Sequence, residues 1–341
     1  MEHPVAVTIH PSCFPERTRA AYLESFRTRR MNHRFHYESE KQAQQWLAIH
    51  EAYSPARTDD DCLQTYDRAL SEIAAKITSD NVALISIGCG GGQKDFTLLK
   101  YLRAKKITYI PTDVSLPLAL TAHINLECGV QRRSHFSSTA PNQPTTPSTS
   151  IVSKPALLDL PATPDLSTFL DTLSPPNAQR IIAFFGMLPN FEPNEALPIL
   201  ASALHPGDLL IASANLAPGD DYRQGVQKIL PLYDNAPTRR WLSTALTDAG
   251  LQISPADLQF TIADVNNLLR IEAHYQFNTS QTIHLDTEQF TYTPNQTFRL
   301  FYSYRHTRDL LRALFAKYGL GITGEWITAS REEGIFLSQK S

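Results

Sequence analysis

The sequence predicts an α/β fold, with a mainly parallel sheet at its centre and a second, smaller α+β portion beside it. Three observations predict it. From Val82 onward, short apolar runs alternate with helical segments, the texture of parallel strands joined by crossover helices. The first of these runs ends in the glycine-rich turn "GCGGG" (88–92), which leads into a helix. Beyond residue 260, segments of strand composition are separated by Asn-, Thr- and Pro-rich stretches, which points to antiparallel pairing.

The first 80 residues read mostly as helices. "PERTRAAYLESFRTRR" and "SEKQAQQWLAIHEAYS" carry apolar positions at helical spacing, and "DDDCLQTYDRALSEIAAKI" opens with the carboxylates that a helix N-terminus favours. Strand one is "VALISIG" and its helix "KDFTLLKYLRAK"; strand two is "ITYIPTD", followed by the helix "LPLALTAHINLECG". The Ser/Thr/Pro-rich "SSTAPNQPTTPSTSIVSKP" (137–155) reads as a surface loop, and "ALLDL" as a short third strand. "RIIAFFG" is apolar after its first residue, as a strand buried on both faces requires, and the helix "NEALPILASALH" leads to a fifth strand, "GDLLIASANL". "LLRIEAHYQF", "QTIHLDTEQFTY" and "TFRLFYSYRH" supply the antiparallel part; "TRDLLRALFAKYG" is a helix stopped by glycine, and "EEGIFLSQ" a last strand. The expected division is an N-terminal helical segment at 1–80, a sheet domain at 81–254, antiparallel strands at 255–310, and a helix and strand at 311–341 returning to the main sheet.

Composition narrows the function. A net charge of −3 with interspersed signs leaves no basic stripe for nucleic acid or an anionic membrane, and no apolar run approaches the roughly 20 residues that span a bilayer. The cysteines Cys13, Cys62, Cys89 and Cys128 are scattered, with no CxxC and no zinc spacing, and the N-terminus has no charged start followed by an apolar run of the secretory kind. A monomer in a reducing cytoplasm, without bound metal, is the expectation.

The glycine turn is the first chemical clue. After a buried strand, glycines bring the backbone close to a ligand, and in Rossmann-like sheets this turn serves adenosine-containing cofactors. A dinucleotide fingerprint needs glycine at position 93, which is Gln; Gly88, Gly90 and Gly92 instead match the loop of S-adenosylmethionine-dependent methyltransferases. Asp113, closing strand two, is suited to the ribose hydroxyls, and Asp159, closing strand three, to the adenine side.

Over roughly residues 33–339 the chain resembles the histidine Nα-methyltransferases of ergothioneine biosynthesis. "RFHYE" is similar to that family's "WFYD", and "GCGGGQKD" to its "GSGTSEKT". "PTDVS" resembles "FDVS", "LLDL" the "ADF"-type turn, "FFGMLPNFEP" the longer "FLGSTIGNLTP", and "LPLYDNAPTRRWL" the "AYDDAAGVTAAF" segment. The resemblance implies a class I S-adenosylmethionine-dependent methyltransferase sheet with a smaller α+β substrate-binding domain. It also implies cofactor contacts from Tyr37, Gly88, Gly90, Lys94, Asp113, Val114, Asp159 and Leu160, with Lys94 reaching the cofactor carboxylate. On the substrate side it implies Tyr37 and Gly186 at the reacting amine and Asn190 and Tyr233 at the α-carboxylate, with Met187, Phe301 and Ser303 lining the side-chain pocket.

One departure bears on specificity. "FRLFYSYRH" resembles the family's "LTEVSCKF", so Ser303 keeps its serine while the glutamate that grips an imidazole N–H is Phe301 here. A site built on such a bond discriminates strongly for it. The expected acceptor is therefore the amine of a free amino acid or related small molecule other than histidine, with S-adenosylhomocysteine as the product. The alternatives are methylation of a ring nitrogen, oxygen, carbon or sulfur of another small metabolite, or a catalytically silent cofactor-binding protein.

Overall fold

The computed structural model describes residues 4–136 and 149–341. Along the chain, β1 (Thr8–Ile9), β2 (Asn81–Ile87), β3 (Lys106–Asp113), β4 (Ser150–Ser153), β5 (Ala156–Leu157), β6 (Gln179–Phe185) and β7 (Leu209–Asn215) come first. They are followed by β8 (Gln259–Val265), β9 (Leu268–Gln276), β10 (Gln281–Leu285), β11 (Glu288–Tyr292) and β12 (Thr297–Tyr304), then by β13 (Leu320–Ile327) and β14 (Glu333–Lys340). The helices are α1 (Pro15–Thr28), α2 (Glu40–Tyr53), α3 (Pro55–Thr58), α4 (Asp60–Ala75), α5 (Gln93–Tyr101) and α6 (Leu116–Phe136). α7 (Leu166–Leu173), α8 (Pro193–Ala203), α9 (Tyr222–Ile229), α10 (Ala236–Asp248) and α11 (Arg308–Lys317) complete the set.

Among the described residues the main sheet has nine strands in the order β1-β5-β3-β2-β6-β7-β14-β13, with β4 also paired to β3. β1 to β7 pair in parallel; β14 and β13 close the edge antiparallel. Alternation along β2 explains why both faces are covered: Ala83, Ile85 and Ile87 pack with α7, α8 and α11, while Val82 and Leu84 pack with α4 and α5. Local chemistry starts these helices where the apolar spacing predicts. Ser39 and Gln42 form a capping box on α2, and the Asp59 carboxylate accepts the Cys62 N–H at 2.7 Å at the head of α4.

A three-stranded antiparallel sheet, β12-β9-β8, and the hairpin β10-β11 form the second body of strands. Asn266 and Asn267, both at positive φ, make the tight β8–β9 turn. A separate core forms here from Phe26 of α1, Met31, Phe35, Trp241 and Leu242 of α10, and Tyr275, Phe298 and Phe301 of the sheet.

Several elements depart from the sequence expectation. Residues 137–148 of the expected loop lie outside the described residues, but Ser150–Ser153 in its last part is β4, in register with Lys106–Tyr109. The single segment 281–292 is a hairpin, because Asp286 at positive φ turns the chain. The helix after strand two runs on past Gly129 to Phe136; one glycine costs a helix only about 1 kcal/mol relative to alanine. Packing also crosses the expected boundaries. Within 1–80, α4 packs on the main sheet and β1 extends its edge, whereas α10, inside 81–254, packs against the second sheet. Contacts far apart in sequence decide these allegiances. No helix among the described residues is long and apolar enough to cross a membrane.

Candidate active site

The carboxyl ends of β2, β3, β5, β6 and β7 meet at a cavity of about 720 Å³, walled on the other side by α2, α10 and β12. Sheets of this kind bind ligands outside the carboxyl ends of their strands. The site residues expected from the sequence line this cavity, namely Tyr37, Gly88, Gly90, Lys94, Asp113, Val114, Asp159, Leu160, Gly186, Met187, Asn190, Tyr233, Phe301 and Ser303, whereas Gly92 of the same loop turns away from it toward Phe96 and Tyr109.

At the strand-end side, two glycines are required by shape. Gly88 has φ +70°, and a Cβ there would lie 2.5 Å from the Met187 sulfur; Gly90 has φ +52°, and a Cβ would lie 2.7 Å from the Trp46 ring. The loop folds over Asp113: the Gly90 N–H donates to Oδ2 at 3.1 Å and the Ser115 N–H to Oδ1 at 3.0 Å. Burial pushes the Asp113 carboxyl up to about 6, although the N–H bonds from Ser115, Gly90 and Val114 pull the other way. Each oxygen keeps a lone pair for a ligand hydroxyl. The apolar wall from Val114, Leu118, Leu158 and Leu160 beside this carboxylate suits a nucleoside, so these residues fit an adenosyl cofactor.

Lys94 lies beside Gly186, where a Cβ would come within 3.7 Å of its Nζ. Its ammonium donates to the Tyr66 hydroxyl at 2.8 Å, lies 3.8 Å from Glu333, and sits 4.5 Å from the centre of the Tyr66 ring. Tyr66 in turn donates to the Glu333 carboxylate. Asp159 is held by the N-terminal segment: Arg34 Nη1 donates to its Oδ2 at 3.2 Å, and its own N–H donates to Ser12 Oγ at 3.0 Å. Burial raises its carboxyl, and the Arg34 charge opposes that. Cys89, inside the glycine loop, is pushed well above the usual thiol range by burial and then by Asp113 and Asp95, which leaves it an inert filler.

The opposite side draws on distant segments. Tyr37 ends a short turn over His33–His36, which is pinned by His36 Nε2 to the Leu300 carbonyl (2.7 Å) and by the Trp241 Nε1–H donating to the His36 carbonyl (2.8 Å). Its ring packs edge-on against Trp46 and Trp241, and its hydroxyl makes no hydrogen bond among the described residues. Burial, then the Asp113 charge, raises it above the ordinary phenol range. Gly186 closes β6 at φ +70°, with its N–H donating to Ser213 Oγ at 2.9 Å; Asn190 ends the following turn, its N–H on the Met187 carbonyl at 2.9 Å.

β12 supplies the far wall. A bulge between Arg299 and Phe301 shifts its register on β9, and from there alternation turns Phe301 and Ser303 toward the cavity. Phe301 is buried among His33, Tyr233 and Trp241, with ring centres 5.8 to 6.2 Å away. Tyr233 donates its hydroxyl to Ser303 Oγ at 3.0 Å and accepts from Arg305 Nη2 at 2.8 Å. Burial pushes the His33 imidazole down to about 3, so it faces Phe301 as a neutral ring.

Sequence reading missed Trp46, His33, Arg305 and the Tyr66–Glu333 pair, all cavity-lining or, for Tyr66, bonded to a lining side chain. Only Arg305 carried a local signal: it lies two residues beyond Ser303, on the same side of an alternating strand.

Comparison with known proteins places the chain. Solved structures to which the chain is similar include an S-adenosylmethionine-dependent methyltransferase from Clostridium acetobutylicum ATCC 824, at 10% identity and a TM-score of 0.41 over 87% of this chain and 98% of that one. Magnesium protoporphyrin IX methyltransferase from Synechocystis PCC 6803, with bound S-adenosylhomocysteine, is 13% identical with a TM-score of 0.40 over 89% and 95%. The amino pentose methyltransferase CalS10 from Micromonospora echinaspora, with bound S-adenosylmethionine, is 13% identical with a TM-score of 0.38 over 86% and 97%. No curated protein matches the chain. The model of the histidine-specific, S-adenosylmethionine-dependent methyltransferases matches residues 21–340, and the chain belongs to that family, an S-adenosylmethionine-dependent methyltransferase by its descent.

Proposed function

We propose that this methyltransferase acts on the amine of a free amino acid or a related small molecule whose side chain is aromatic or apolar rather than imidazole. The observation that carries the reading is Phe301, buried among His33, Tyr233 and Trp241 at the acceptor wall, where an apolar ring offers no acceptor for an imidazole N–H. In this reading α1, α2, α10 and the antiparallel sheet make up the substrate-binding half, over the strand ends of the cofactor half.

Bound at the strand ends, S-adenosylmethionine supplies a methyl group made electrophilic by its sulfonium. Gly88 and Gly90 hold the backbone back from it, Asp113 takes the ribose hydroxyls, Val114, Leu160 and Asp159 border the adenine, and Lys94 meets the amino-acid carboxylate. Tyr37 and the Gly186 carbonyl accept the acceptor's N–H groups and aim its lone pair. Tyr37 stays protonated, because burial holds its phenol above the usual range, so it orients the amine rather than serving as its base. The ammonium proton goes to water before transfer. Asn190 and Tyr233, the latter through the Ser303 hydroxyl to which it donates, meet the α-carboxylate, and Met187, Phe301 and Ser303 border the side chain.

The test is incubation with S-adenosylmethionine and a pool of free amino acids and amines, including phenylalanine, tyrosine, tryptophan and histidine, followed by mass spectrometry of the acceptors. A gain of one to three methyl masses on an aromatic or apolar amino acid is the expected result. Methylation of histidine alone overturns the role given to Phe301, and no gain on any amine despite cofactor binding overturns the amine reading.

A further inference from the structure

Among the described residues, four arginines are buried: Arg34, Arg180, Arg270 and Arg305. Three are neutralised by carboxylates, Arg34 by Asp159 and Glu38, Arg180 by Asp171 and Asp208, and Arg270 by Glu272 and Glu192. Arg305, 7% exposed, forms no ion pair among the described residues. Its Nη2 donates to the Tyr233 hydroxyl at 2.8 Å, its Nε is buried without a partner, and no hydrogen bond among the described residues uses Nη1. A buried guanidinium without a counter-ion is costly, and the other three show how this fold avoids that cost. Arg305 differs from them in lining the acceptor end of the cavity next to Ser303.

The hydrogen-bond chain at that end has a fixed sense. An arginine only donates, so Tyr233 accepts from Arg305 and passes its own hydrogen to Ser303 Oγ, which leaves the serine hydrogen for a ligand. His306, the next residue along, adds no charge: burial and then the Arg305 charge push it down to about 4, and its ring is fully buried. Of the other cavity cations on this wall, Arg299 is paired with Glu272. Arg30, bridged to Arg299 along the backbone, also lines the cavity but is exposed to solvent, so next to Ser303 the buried positive charge without an ion pair among the described residues is that of Arg305.

We infer that Arg305 is the counter-ion for a carboxylate on the methyl acceptor, and so the residue that makes the pocket select an acid over its neutral analogue. A planar monoanion matches one guanidinium fork. The inference rests on the acceptor reading above only in taking the ligand of this end to be the methyl acceptor.

Calorimetry on the protein saturated with S-adenosylhomocysteine tests it, with 3-phenylpropanoate and its neutral isostere 3-phenylpropanamide as probes. The wild type is expected to bind the acid about tenfold or more tightly than the amide, the size of one charge-assisted hydrogen bond. Arg305→Met is expected to lose that preference while keeping its affinity for S-adenosylhomocysteine, and Arg305→Lys to keep part of it. Equal binding of acid and amide, no binding of the acid to the wild type, or a preference that survives in Arg305→Met overturns the inference. If Arg305→Met no longer binds S-adenosylhomocysteine, Arg305→Lys decides: an undiminished preference for the acid overturns the inference. An Arg305-dependent preference with no amine methylated would sink the amine reading and leave this one standing; methylated amino acids with no Arg305-dependent preference would do the reverse.

Discussion

The strand-end side of the cavity and its β12 side are built by different means. Gly88, Gly90 and Asp113 come from neighbouring parallel strands, and the bond that joins the loop to the carboxylate spans 23 residues. On the other side, Tyr233 reaches Ser303 across 70 residues, and the Trp241 bond that fixes the Tyr37 turn spans 205. Backbone geometry governs the first region: positive φ at two glycines and N–H groups aimed at a carboxylate. Side-chain packing governs the second, where four aromatic rings share a wall with the buried Arg305 guanidinium, which has no ion pair among the described residues. One region is suited to holding the ligand common to a whole class of enzymes, and the other is free to change its specificity without disturbing that hold.

If the two regions are separable, their variants should fail separately. The largest effect is expected from Asp113→Ala, which removes the carboxylate proposed to take the ribose hydroxyls and should weaken S-adenosylhomocysteine binding about 100-fold in calorimetry, roughly two charge-assisted hydrogen bonds. An affinity unchanged by that substitution would separate Asp113 from the cofactor altogether. Tyr233→Phe should lower kcat/KM for the acceptor identified in the screen by about 30-fold, since it breaks the link between Arg305 and Ser303, yet leave S-adenosylhomocysteine affinity within about twofold. A matching loss of cofactor affinity would mean that the two regions are coupled.

Acidity sharpens the same contrast. Because Asp113 is raised to about 6, and the ribose hydroxyls favour its ionised form, S-adenosylhomocysteine should bind about tenfold more weakly at pH 5 than at pH 7, with a flat profile in Asp113→Asn. The contribution of Asp113 to the stability of the ligand-free protein has the opposite sign. It is fully present below the unfolded value of about 4 and is lost as pH rises through about 6, because the native state holds the proton more tightly. The smallest effect is expected from Phe301→Leu, which trims a ring in a packed wall and should cost about 1 kcal/mol in denaturant unfolding. Cofactor affinity should not change; if it does, the aromatic wall also shapes the strand-end side.

Legibility followed the same division. β2, β3, β6 and β7 were readable because strands buried on both faces are continuous apolar runs, and the glycine turn after β2 names its own backbone requirement. The Phe301 departure was visible because the surrounding motif could be aligned. The allegiance of α4 to the main sheet and of α10 to the second sheet was not readable, since an amphipathic helix shows that it has an apolar face but not which surface receives it. Trp46 looked like any core aromatic on α2 until the fold brought its ring against Gly90.

What the sequence by itself determined is the alternation of buried strands and helices from β2 to β7, the glycine loop, the acid that closes β3 and the acid two residues beyond β5, because these depend on local propensity and on the spacing of neighbours along the chain. Only the tertiary structure decided which charges keep a partner. Arg34 and Arg305 are both single arginines in the sequence; folding carries Asp159 to the first and, among the described residues, the Tyr233 hydroxyl and no carboxylate to the second. The neutralisation of a buried charge depends on what packs within a few ångströms of it, and that distance is unrelated to separation along the chain.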